Sequence, residues 1–192
     1  MGHLQGLKEY LHEVYNHSVF DQLLTSQQLW EMHLHGQRIV QARVVQNETY
    51  DLVVEIEGQG KEELPKLQVK CLYPSDAAAA IGKQLKIDKK VQGLGLEPIY
   101  APAQRYIVKN KTLFPLMQER QVVFCTLLEG ELIRGLVAEF SRYDMTIHVK
   151  GGLPIVIMRH GVYDLRDKKG RCLLKSFQDK HKDWEKSTLF VS

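Results

Sequence analysis

The sequence predicts a mainly β chain made of two copies of one unit, each a short helix followed by a run of short strands, joined by a partly helical linker. Three observations predict it. Residues 19–36 (VFDQLLTSQQLWEMHLHG) lie against residues 113–130 (LFPLMQERQVVFCTLLEG) at an offset of 94, pairing Phe20 with Phe114, Trp30 with Phe124 and Gly36 with Gly130. In the same order, YDLVVEI from Tyr50 matches YDMTIHV from Tyr143 at an offset of 93, and LPKLQVKC from Leu64 matches LPIVIMRH from Leu153 at 89. The length changes between these blocks fall in polar, turn-rich places such as GQGKEE. Finally, each copy carries short β-branched and aromatic runs between Gly, Asn and Pro. The organisation that follows is a first, divergent unit over residues 1–75, a linker over 76–112, and a second unit with a C-terminal tail over 113–192.

The elements follow in chain order. Leu4, Leu7, Leu11 and Val14 predict an amphipathic helix packed on the first unit. Ser18 followed by Asp21 resembles a capping box for a short helix carrying Phe20, Leu23 and Leu24. Strands are expected at 29–34, 38–45, 50–57 and 66–70. In the linker, Asp76 is placed to cap a helix from Ala77 to about Lys90, and the Gly-x-Gly of GLGLEP is no nucleotide loop, because no strand leads into it. Pro115 suits the first turn of a helix running through Arg120. Second-unit strands are expected at 122–128, 132–140, 145–150, 153–159 and 162–166. The turn DKKG then leads to an extra strand at 171–176, and the tail mixes lysines with Phe177 and Trp184.

Composition narrows the function classes. In 192 residues, 44% apolar, there is material for a substantial core. No apolar run approaches the roughly 20 residues of a membrane span, and residues 1–10 lack a signal-peptide layout, so a cytoplasmic protein without membrane partners is expected. Cys71, Cys125 and Cys172 are odd in number and lack zinc-like spacing, which fits reduced thiols. His33 and His35 sit two apart without a third ligand and read as solvent-exposed, so no metal or other cofactor is expected. The formal net charge of +3 is slight, so a basic surface must come from local arrangement.

The stretch PIVIMRHGVYD ends an apolar run in Arg-His-Gly and resembles the opening motif of the histidine phosphatases. That family draws further catalytic groups from a long stretch after the motif. Only 32 residues follow His160, the sole later histidine is His181 in the charged run DKHKDWEK, and the preceding segments read as strands and turns. No catalytic residue is therefore expected.

The span EGELIRGLVAEFSRYDMTIHVKGGLPIVIMRHGVYDL is similar to the Sm fold as found in the Hfq-like, Sm-like (LSm) family, which implies that each unit is a small barrel, a short helix followed by a bent five-stranded antiparallel sheet. Gly130 and Gly135 begin and bend the second strand, Tyr143 follows the next turn, and Arg159 with His160 stand at the second Sm motif. In the first unit, Gln41 stands where the bending glycine should be and Cys71 where the histidine should be, while Tyr50 and Lys70 keep the aromatic and basic positions. The resemblance implies RNA contact by Tyr143, Arg159 and His160, and more weakly by Tyr50 and Lys70, through base stacking and phosphate pairing. It also implies that one unit's fourth strand pairs with its neighbour's fifth, removing exposed edges. Three such chains would then supply six units of a pseudo-hexameric ring. The apolar run 155–158 lacks alternation and so suggests burial on both faces at an interface. The competing function is a ring serving protein–protein interaction without RNA.

Overall fold

A computed structural model describes residues 4–174 of the chain. Helix α1 (Leu7–Val14) and helix α2 (Val19–Ser26) precede strands β1 (Trp30–Leu34), β2 (Arg38–Asn47), β3 (Asp51–Ile56), β4 (Gly60–Pro65) and β5 (Val69–Pro74). After the connecting elements α3 (Ala78–Gly82), β6 (Lys86–Ile87) and α4 (Lys89–Gln92) comes helix α5 (Asn110–Gln118). It leads strands β7 (Val122–Leu127), β8 (Glu131–Phe140), β9 (Asp144–His148), β10 (Pro154–Met158) and β11 (Val162–Asp167). The chain is mainly β. Among the described residues, eleven strands form one open antiparallel sheet in the order β11-β7-β8-β9-β10-β5-β1-β2-β3-β4, with β6 added beside β8, rather than two closed barrels.

The two halves meet where β10 pairs antiparallel with β5, setting Val156 opposite Leu72 and Ile157 opposite Cys71. This junction explains why the 155–158 run does not alternate. Ile155 and Ile157 point into the apolar cluster of the second half, with Leu127, Ile133 and Ile147. Val156 and Met158 point into that of the first half, with Val44, Leu52 and Val54. Strand β5 is divided in the same way, Cys71 and Tyr73 on one side and Val69 and Leu72 on the other. A strand wedged between two cores has no wet face to carry polar residues.

Several expectations are corrected. The fourth strand of the first half is Gly60–Pro65, while Lys66–Gln68 forms a 3-10 turn before β5. Backbone hydrogen bonds fix the true equivalence of the halves: Lys66 N–H donates to the Tyr50 carbonyl (2.8 Å) and Arg159 N–H to that of Tyr143 (2.9 Å). His35 N–H bonds Gln68 (2.8 Å) as Leu128 N–H bonds Gly161 (2.9 Å). The strand bulges between Val44 and Gln46 and between Val137 and Glu139 also correspond. Every pair is 93 residues apart, so the Leu-Pro to Leu-Pro match at 89 is out of register. The residue equivalent to Gly135 is then Ala42, not Gln41. A side chain on Gly135 would meet the His148 carbonyl at 2.3 Å, whereas the first half accommodates the buried Ala42 methyl.

Helix α1 packs on the second half, not the first. The Tyr10 hydroxyl donates to the Phe140 carbonyl (2.9 Å) and accepts from the Phe140 N–H (2.7 Å), and its ring lies 4.9 Å from that of Phe140 and 5.7 Å from that of Phe114. Ser18 caps α2 by accepting from Phe20 N–H (3.3 Å), as its position predicts. The linker helix is broken into pieces, because Lys86 and Ile87 pair with Leu132 and Glu131 of β8 and Asp88 starts a new cap. Helix α5 begins at Asn110, which puts Pro115 inside it rather than in its first turn. His33 and His35 are buried instead of exposed. The expected strand at 171–176 is described only to residue 174, and the tail with Phe177 and Trp184 lies outside the described residues. Among the described residues no helix is long and apolar enough to cross a membrane.

Candidate nucleic-acid interface

A groove of about 1060 Å3 opens beside the β10–β5 junction and takes lining residues from both halves and from the linker. Tyr50 and Tyr143 line it from equivalent turns, each just ahead of its half's third strand. Tyr50 is 79% exposed and Tyr143 45%, although aromatic residues usually bury much of their large apolar surface. The Arg142 guanidinium lies 5.3 Å above the Tyr143 ring.

Arg159 and His160 reach the same groove from the 3-10 turn between β10 and β11. Arg159 Nη2 donates to Asn110 Oδ1 (2.9 Å), and its guanidinium stacks 5.6 Å from the Phe140 ring. Its Nε is buried and has no hydrogen-bond partner. Burial lowers the Arg159 pKa, opposed by Tyr15, Asp144 and Tyr10, and an arginine in this position keeps its charge. His160 Nε2 bonds the Val69 carbonyl across the junction at 2.8 Å. Burial pushes the His160 pKa down to about 4, against the pull of that carbonyl, so the ring is neutral at pH 7 and its Nε2–H donates.

The fifth sequence candidate, Lys70, does not join them. It is fully buried, and its Nζ is held by Glu129 Oε2 and Glu131 Oε1 of the second half. Glu129 also accepts N–H groups of Gly36 (2.7 Å) and Gln37 (3.1 Å). Burial alone would raise the Glu129 pKa, but the bonds from Lys70, Gln37 and Gly36 bring it below the ordinary value. Lys70 is thus a clamp between the halves rather than a groove cation, and the register error explains the misassignment. The equivalent of Arg159 is Lys66, which does line the groove, with Nζ donating to the Glu48 and Thr49 carbonyls and lying 5.9 Å from the Phe20 ring. The equivalent of His160 is Leu67, also at the groove.

Linker residues Tyr100, Arg105 and Tyr106 form another wall, which sequence reasoning missed. Arg105 is braced by donating from Nε to the Ile99 carbonyl (2.9 Å) and from Nη2 to that of Tyr100 (3.1 Å). The signal was present in EPIYAPAQRY, where two tyrosines and an arginine interrupt a proline-containing loop. The groove also carries the carboxylates of Asp21 and Asp51.

His33 and His35 lie outside this groove, close to the Lys70 clamp. His33 Nε2 bonds the Tyr73 hydroxyl (2.8 Å), and that hydroxyl donates to Glu31 Oε1 (2.6 Å). Burial lowers the pKa of both histidines, opposed by nearby carboxylates, chiefly Glu131 for His33 and Glu129 for His35. Among the described residues, no group of three or more His, Cys, Asp and Glu side chains is placed to hold a metal ion. No protein-family model matches the chain, and no curated protein matches it.

Proposed function

We propose that this chain is a non-catalytic, Sm-like RNA-binding protein of Hfq-related type that takes single-stranded RNA into the groove between its two halves, in a post-transcriptional role. The observation that carries the reading is the convergence of Tyr50 and Tyr143, equivalent residues 93 apart, on one groove that also holds Lys66, Arg105 and Arg159. Exposed aromatic faces accept any base by stacking, and cations beside them meet the phosphates between successive bases. His160 fits that reading as a residue of the junction, its Nε2–H donating to the Val69 carbonyl of the other half.

Filter binding of a single-stranded RNA pool over a salt series tests the proposal. Retention should weaken as salt rises. Arg159→Ala, with its fold verified by circular dichroism, should reduce the slope by about one phosphate contact. The rival reading, a protein-interaction surface, draws on the groove's Asp21 and Asp51 and on the low net charge of +3. Absence of retention even at low salt would favour that rival.

A further inference from the structure

We propose that both outer edges of the sheet are blocked against a second copy of this chain, so that the strand junction seen between the halves occurs only inside the chain and the molecule is a two-unit arc rather than one segment of a ring. The inference stands on the equivalence of the halves and is independent of RNA binding.

The internal junction shows what a neighbour would need. Strand β10 of the second half lies against Leu72 and Cys71 of β5, and its Val156 enters the first half's apolar cluster. At the spacing of 93, the receiving positions on β11 are Leu165 and Asp164, and the entering strand would be β4, with Glu63 in the place of Val156 and Leu64 in the place of Ile157.

Neither side is open to that contact. On β11, the chain's own residues 171–174 already occupy the edge. Leu173 N–H donates to the Leu165 carbonyl (2.8 Å), Asp167 N–H to that of Arg171 (3.1 Å), and Arg166 bridges Cys172 in antiparallel register. The returning segment is fixed at both ends. Asp167 Oδ1 accepts the N–H groups of Lys169 and Arg171 at 2.9 Å each, and Leu174 is buried and bridges Val108 of the linker. On β4, the residue that would enter a neighbour's core is Glu63, exposed here, and an unpaired carboxylate in an apolar cluster is strongly disfavoured. Lys61 and the Arg38–Glu62 ion pair, with bonds of 2.6 Å, add charge along the same strand. An occupied edge at one end and a charged side chain on the face a neighbour would bury at the other are both recognised ways of stopping strand addition.

Light scattering on the full-length chain tests this directly. The wild type is expected at the mass of one chain at all concentrations. Leu173→Pro, which removes the donor to Leu165, combined with Glu63→Val, which restores the entering apolar side chain, should shift the mass with concentration toward several chains. Each single variant should stay at or near one chain. Should the proline variant lose its β circular dichroism, Asp167→Ala with Glu63→Val, which loosens the turn and leaves the strand intact, takes its place with the same expected shift. A wild type that already measures as three chains would overturn the proposal, as would a folded double variant that remains at one chain.

Discussion

The turn Arg159–Gly161 and its first-half equivalent Lys66–Gln68 are the same 3-10 element in the same place after a fourth strand, yet their side chains do different work. The second-half turn is pressed against a neighbour. His160 donates to Val69, and a Cβ added to Gly161 would lie 3.1 Å from the Lys70 Cα. Among the described residues no further unit packs beyond the first-half turn, and there a leucine and a glutamine replace the histidine and glycine. A backbone motif can therefore repeat faithfully while its residues report what adjoins it: the histidine and glycine belong to the junction as much as to the groove.

The largest effect that would break this comparison is loss of the clamp on the junction's far side. Lys70→Met leaves Glu129 and Glu131 without their shared cation, and removing one partner of a buried pair costs about 3–5 kcal/mol. Urea denaturation should show that loss.

Next comes pH. The folded chain holds His160 at about 4 by burial, and the same cause lowers His33 and His35, so these rings stay neutral while the unfolded chain takes up protons below its ordinary histidine value of about 6.5. Their contribution to stability is complete above that pH and falls as pH drops toward 4, by up to about 3 kcal/mol for His160 alone. Buried Asp144, whose pKa is raised by desolvation, opposes the trend at the acidic end. Denaturation midpoints at pH 7 and pH 5 should differ accordingly, and His160→Gln should narrow the difference.

The sharpest contrast is steric. Gly161→Ala forces β5 and the turn apart and should cost about 1–3 kcal/mol. Gln68→Ala, at the equivalent position of the first half, should stay within about 0.5 kcal/mol. Equal losses in the two variants would deny the junction its role.

Much of this architecture was legible in the sequence because it rests on local patterning. The strands around Val44, Leu52 and Ile147 alternate or cluster as their burial requires, and the unbroken apolar run Ile155 to Met158 announced a strand with no wet face. Tyr50, Tyr143, Arg159 and His160, expected from the sequence as RNA contacts, all line one groove, because each belongs to a turn whose position the repeat fixes. What escaped were properties decided by the other half of the molecule. The shared Leu-Pro pairs draw the first unit's last strands out of register, since the equivalence shows in backbone hydrogen bonds, such as those to the Tyr50 and Tyr143 carbonyls, and in the matching bulges. Burial of His33 and His35 depends on packing around the Lys70 clamp, and α1 docks on Phe114 and Phe140, more than 100 residues away. No periodicity in a short segment encodes such contacts.

The central claim is that one RNA strand engages both halves at once through their equivalent tyrosines. Ultraviolet cross-linking of the full chain to single-stranded RNA, with the modified peptides mapped by mass spectrometry, tests it most directly. The account predicts nucleotide adducts on the peptides carrying Tyr50 and Tyr143. Adducts confined to surfaces away from the groove, or none under conditions where RNA is retained, would contradict it.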